Sequence, residues 1–133
     1  MNWQILLLVS FGGGIGAGAR YLCSGLIAAL AGPSFPWGTL VVNVVGSFLI
    51  GFFNALSGPD GRLFITTETR QFVMLGLLGG YTTFSSFSLQ TLNLMRDGEW
   101  LPAGLNIGLS FALCLIAVWL GHLAATSFNQ LRG

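Results

Sequence analysis

The sequence predicts an all-α membrane protein with four transmembrane helices per chain, and three observations lead there. Mean hydropathy is +0.79, and 53% of residues are hydrophobic against only 7% charged, a composition foreign to soluble domains. The charges are Arg20, Asp60, Arg62, Glu68, Arg70, Arg96, Asp97, Glu99 and Arg132, and all but Arg20 cluster at 60–70, at 96–99 or at the C-terminus. Between them lie apolar segments at about 3–30, 37–56, 71–95 and 101–128, each long enough for a hydrocarbon core that needs about 20 helical residues. The chain, 1–133, therefore reads as a single transmembrane domain in a cell membrane, with loops too short for a soluble unit. The first segment lacks the basic flank of a signal peptide and is expected to be retained as a span.

The first helix carries Gly12, Gly13, Gly14, Gly16 and Gly18. Both Gly12-xxx-Gly16 and Gly14-xxx-Gly18 fit the small-xxx-small pattern that lets helices approach closely. Arg20 follows this run and has two readings. It snorkels to the interface, or it lines an aqueous vestibule and raises the local anion concentration by its charge.

In the second helix, Thr39, Asn43, Ser47 and Asn54 recur at offsets that place all four on one narrow polar stripe. Membrane asparagines often bond a neighbouring helix, but two on one stripe point to a pathway or a polar interface.

The third helix contains GLLGGYTTFSSFS at 76–88. Gly79-Gly80 followed by Thr82-Thr83 is weakly helical, each glycine costing about 1 kcal/mol relative to alanine, so the span either breaks near mid-membrane or continues as a tightly packed helix. A break is tolerated only where protein, water or an ion satisfies the freed carbonyls, and discontinuous membrane helices often use such carbonyls to hold a cation. Beyond it, Phe84, Phe87, Ser88 and Thr91 share one helix face, and Thr83, Ser86 and Gln90 an adjoining one. Aromatic rings have a positive edge, so rings beside hydroxyls and an amide suit an anion approaching edge-on.

The fourth helix repeats a small, weakly polar face with Asn106, Ser110, Cys114, Ala117 and Gly121. His122 lies off that face near the span's end and is assigned no chemistry. Cys23 and Cys114 lack metal-ligand spacing and read as small packing residues.

What the spans lack also discriminates. They contain no Asp, Glu or Lys at 3–56, 72–95 or 101–128. Proton-coupled and cation pathways generally need an ionisable intramembrane group, whereas amide and hydroxyl donors solvate an anion without trapping it. An enzyme has little to work with, since there is one His, no nucleophile-base pair at suggestive spacing and no metal-ligand cluster; no nucleic-acid partner is expected. Orientation is weakly specified. Arg62, Arg70 and Arg132 share one side and Arg96, with or without Arg20, the other, so the basic-residue bias permits either insertion direction or two oppositely inserted copies paired as a homodimer.

The combination of GGGIGAGAR at 12–20, GTLVVNVVGSFLIG at 38–51 and GLLGGYTTFSSFS at 76–88 resembles the small bacterial fluoride channels of the Fluc or CrcB family. The likeness spans all four helices, and GG-x-TTFS-x-FS is its most specific part. It implies an antiparallel, dual-topology homodimer in the bacterial plasma membrane, with two fluoride pores. It also implies passive fluoride export that protects the cell, and a central structural sodium ion at the third-helix breaks. By the same resemblance, Gly79 and Thr82 supply sodium-binding carbonyls, Phe84 and Phe87 are pore phenylalanines, Asn43 is the pore asparagine, Arg20 the vestibule arginine and Ser110 the fourth-helix serine. Thr83, Ser86 and Gln90 complete the expected fluoride pathway. Gln90 departs from a glutamate common there, and Asn106 from a tyrosine in some members, leaving the polar track open in detail. The rival readings are a four-helix multidrug or small-cation exporter, which is expected to carry an intramembrane glutamate, and a structural membrane subunit, for which ordered polar stripes are surplus.

Overall fold

A computed structural model describes residues 1–131; Arg132 lies outside the described residues. The elements are α1 (Trp3–Ala31), α2 (Trp37–Leu56), α3 (Thr67–Gln71), a π-helical segment (Phe72–Leu78), α4 (Gly79–Tyr81), α5 (Phe84–Arg96) and α6 (Trp100–Gln130). Among the described residues there is no strand. Four stretches are long and apolar enough to cross a membrane, the third being Thr67–Arg96 as a whole.

Local chemistry sets the ends. The Asn2 side chain caps α1 by accepting from the Gln4 and Ile5 amides at 2.9 and 3.3 Å, satisfying donors that a helix start leaves orphaned. At its far end Gly32 adopts φ 89° and closes the last turn through a bond to the Ala28 carbonyl, a left-handed geometry that suits glycine. Thr66 caps α3 through the Thr69 amide at 3.1 Å.

Packing depends on missing side chains. A Cβ at Gly16 would run into the Leu77 carbonyl, and one at Gly12 would lie 2.9 Å from the Phe72 carbonyl. The Gly12-xxx-Gly16 face therefore lies against the π-helical segment, as small-residue faces allow. A Cβ at Gly14 or Gly18 would meet nothing within 4 Å; the second small-residue pair has no partner among the described residues. On the other flank α2 lies along α6, where a Cβ at Gly51 would meet the Val118 carbonyl and one at Gly121 the Phe48 carbonyl. The buried face of α6 is Ala103, Asn106, Ser110, Ala117, Gly121 and Ala125, which contains most of its expected small stripe. Leucines, phenylalanines and tryptophans such as Phe11, Leu115 and Trp119 are exposed, the reverse of a soluble fold and natural where hydrocarbon is the solvent.

The third span is discontinuous, and the break falls later than the glycine pair. Gly79 and Gly80 remain helical; Thr82 (φ −82°, ψ 159°) and Thr83 (φ −152°, ψ 114°) are the extended residues. Gly80 serves packing instead, since a Cβ there would lie 2.5 Å from the Gly13 carbonyl. Upstream, the Gly79 amide reaches back to the Met74 carbonyl, the wide turn of a π-bulge, a feature frequent at functional sites.

Candidate functional site

The break opens onto a cavity of about 290 Å³ between α2, the third span and α6, lined by Asn43, Ser47, Gly79, Thr82, Thr83, Phe84, Phe87, Ser110, Phe111 and Cys114 among others. Its construction begins at Thr83. Two extended residues interrupt the helical ladder, and α2 supplies the replacement. Asn43 Nδ2 donates to the Thr83 carbonyl at 2.9 Å, and Asn43 Oδ1 accepts from the Thr83 amide at 2.7 Å. Each bond has good length, and together they fix the amide's orientation. A primary amide has two N–H donors, so the second one remains for the cavity that Asn43 lines. Gly46, one turn along α2, makes room for Thr82, whose Cγ2 a Cβ there would strike.

Thr83 also restarts the helix. Its Oγ1 accepts from the Ser86 amide at 3.1 Å, the N-cap arrangement favoured by hydroxyl residues. Ser86 enters the site through this backbone bond and does not line the cavity. Thr82 Oγ1 donates to the Leu78 carbonyl at 3.1 Å, as membrane threonines commonly do.

The aromatic wall follows. Phe84 is 68% exposed and Phe87 7%; their centroids are 5.3 Å apart at 53°. Phe87 meets Phe111 at 5.9 Å and 62°, an edge-to-face geometry that presents positive ring edges. Phe111 escaped the sequence reading. Its only signal was its place beside Ser110, since α6 carries other aromatics, Trp100, Trp119 and Phe128, that do not line this cavity.

Behind this wall runs a hydrogen-bonded chain. Thr91 Oγ1 donates to the Phe87 carbonyl at 2.8 Å, Asn106 Nδ2 donates to Thr91 Oγ1 at 2.9 Å, and Ser110 Oγ donates to Asn106 Oδ1 at 3.4 Å. Asn106 is 2% and Thr91 6% exposed, so the chain satisfies buried polar groups that would otherwise cost about 1–3 kcal/mol each. Its last link is long for an O–H···O bond. The Ser110 hydroxyl can therefore turn its proton into the cavity at little cost.

The remaining expected site residues lie elsewhere. Gln90 lines a separate cavity of about 440 Å³ with Tyr21, Ser24, Thr39, Asn93 and Asp97, and its Oε1 is buried without a partner among the described residues. Arg20 Nε donates to the Gly80 carbonyl at 3.1 Å. Asn54, at the far end of the α2 stripe, does not line this cavity: it is exposed and accepts from Arg70 Nη2 at the helix end.

Chemically, the cavity offers neutral donors, ring edges and apolar walls, with no carboxylate, amine or imidazole among its lining. Among the described residues, no three His, Cys, Asp or Glu gather in a metal-ligating group. Such a lining suits a small anion.

Comparison with known proteins agrees with this chemistry. Residues 7–122 match the family model described as CrcB-like protein, Camphor Resistance (CrcB). The protein named fluoride-specific ion channel FluC of Opitutus terrae is 58% identical over 130 residues, covering 98% of each chain. The proteins of that name from Methylocella silvestris and Rhodospirillum rubrum are 55% and 57% identical, covering 96% and 93% of this chain and 97% and 96% of their own.

Proposed function

The chain belongs to the CrcB family, and from that premise we propose that it is a fluoride-selective channel that lets fluoride leave the cell passively and so protects it from fluoride toxicity. It is a multi-pass bacterial membrane protein and, like its family, a transporter rather than an enzyme. The observation that carries the fluoride reading is the convergence of Asn43, Thr83, Phe84, Phe87 and Ser110 on one cavity free of carboxylates. Asn43 is held by Thr83 so that one amide N–H is left over. Ser110 has a weakly committed proton, and Phe84 and Phe87 offer ring edges. A dehydrating anion finds donors in succession without a fixed positive charge deep enough to trap it. Gln90 and its cavity extend the path toward one interface.

Two finer features belong to the same proposal. The first is an antiparallel, dual-topology homodimer. Its support is the thin basic-residue bias and the large exposure of Phe84, a residue that otherwise has a single ring neighbour. The second is a structural sodium ion held by the carbonyls of Gly79 and Thr82. The residues fit: extended Thr82 follows the last helical turn, and its carbonyl accepts no hydrogen bond from the described residues. Such an ion would supply a hard positive centre for freed carbonyl oxygens; Gly79 and Thr82 would orient them, and Asn43 and Arg20 occupy the Thr83 and Gly80 carbonyls.

The test is purified protein in liposomes loaded with fluoride or with chloride, followed by ion-selective electrodes. Rapid fluoride efflux with little chloride efflux is expected. Monodisperse, folded protein that releases no fluoride ends the proposal.

A further inference from the structure

The break is held from two helices. From α2, Asn43 takes both backbone groups of Thr83. From α1, Arg20 Nε takes the Gly80 carbonyl at 3.1 Å, in a part-buried bond that spans 60 positions of sequence. The reason for the second bond lies in the chain itself. A carbonyl at Gly80 in a continuous helix would accept from the amide four residues on, but Thr82 and Thr83 turn that amide away. Arg20 Nε stands in for the missing donor.

We propose that Arg20 is a positioning residue for conduction, acting through the Gly80 hydrogen bond and not through the long-range pull of its charge on anions. The inference rests on the fluoride-channel reading. Gly80 lies just before the break and Thr83 is its last residue, and pinning one carbonyl from α1 and the other from α2 fixes where α5 begins. That in turn sets the direction of Phe84 and of the Thr83 backbone at the cavity. Gly16 and Gly80 make the pin possible, since a Cβ at Gly16 would strike the Leu77 carbonyl and one at Gly80 the Gly13 carbonyl, so only their missing side chains let α1 approach the break this closely.

The two roles separate by side-chain chemistry. Glutamine carries its amide nitrogen the same number of bonds from Cα as arginine carries Nε, so Arg20→Gln keeps a donor at that place and removes the charge. Arg20→Lys keeps the charge on a point donor one atom farther out. Arg20→Met keeps only the apolar stem. Fluoride efflux would be measured per folded channel in liposomes at low and high ionic strength, the added salt being impermeant. The pin predicts Arg20→Gln within about threefold of the parent, and Arg20→Met slower by about tenfold, with ratios unchanged by salt. Arg20→Gln failing as badly as Arg20→Met while Arg20→Lys conducts normally, the gap closing at high salt, overturns it. Should Arg20→Met not fold, the Gln and Lys variants decide alone.

A second readout is independent of transport. Hydrogen exchange at the amides of residues 79–86 should quicken in Arg20→Met, or in Arg20→Leu, and stay at the parent level in Arg20→Gln. Equal protection in all variants overturns the pin whatever the efflux. A parent that conducts no fluoride but shows this exchange pattern overturns the functional reading and leaves the pin standing.

Discussion

Asn43 and Thr83 form a cyclic pair, in which the side-chain amide donates to the Thr83 carbonyl at 2.9 Å and accepts from its amide at 2.7 Å. Asn43→Ala strips both backbone groups of their partner in a part-buried site, at a cost of about 2–4 kcal/mol. The melting temperature in detergent should fall, and fluoride efflux with it. Asn43→Asp keeps the acceptor but sets a negative oxygen against the Thr83 carbonyl and in the anion's way, so it should conduct less than Asn43→Ala at neutral pH. Efflux from both variants equal to the parent would remove Asn43 from the pathway.

The two phenylalanines should respond differently. Phe84 is mostly exposed and Phe87 is wedged between two rings. Phe84→Ile should slow fluoride efflux with little change in thermal stability. Phe87→Ile should slow efflux and also lose about 1–2 kcal/mol through the broken ring contacts. Paired melting and efflux measurements distinguish the two patterns.

Asn106 is the middle of the chain from Ser110 to the Phe87 carbonyl. Asn106→Leu leaves Thr91 its bond to Phe87 but removes the acceptor of Ser110, and should destabilise by about 1–3 kcal/mol. Fluoride rates in this variant should change by less than in Asn43→Ala, because Ser110 keeps its own proton. A conduction block as severe as that of Asn43→Ala would place Asn106 itself on the path.

The two glycine pairs of α1 can be told apart by one added side chain each. Gly16→Val drives methyls into the Leu77 carbonyl and should cost about 1–3 kcal/mol or prevent folding. Gly14→Val meets open space within the chain and should spare the monomer's packing. If Gly14→Val instead weakens assembly on size-exclusion chromatography, that face lies in the dimer.

Dual topology is open to labelling. With Cys23 and Cys114 replaced by serine, single cysteines at Asp60 or Asp97 occupy loops on opposite sides of the membrane by the span order. An impermeant thiol reagent applied to cells should modify about half of each. Complete labelling of one position and none of the other means a single orientation.

The span count and the loops were legible because apolar length and clustered charge report directly on a bilayer. The polar stripe of α2 also led to Asn43 and Thr39, although Asn54 on the same stripe proved to be tied to Arg70 at the helix end. The position of the break was less legible. Gly79-Gly80 carries the lower helix propensity, yet both stay helical, because the deciding partners are Asn43 and Arg20 on other helices. Local propensity is silent about donors 40 and 60 residues away. The π-helical turns at Phe72–Leu78 left no trace in the pattern either; they lie where Gly12 and Gly16 bring α1 closest, a contact that local sequence does not encode. Phe111 was hidden for the same reason, since its role depends on which face α6 turns toward Phe87.

The interruption at Thr82 and Thr83 has an electrical consequence. Each run of aligned peptide units ends in partial charges, about half an elementary charge positive at a start and negative at an end. The run from Thr67 to Tyr81 ends where α5 begins, so a negative pole and a positive pole stand two residues apart in the hydrocarbon layer. One face of the break thereby favours a cation and the other an anion, although no Asp, Glu or Lys lies nearby in the span. A chain with almost no ionisable side chains in its interior obtains fields of both signs from backbone alone, and those fields cannot be switched off by pH.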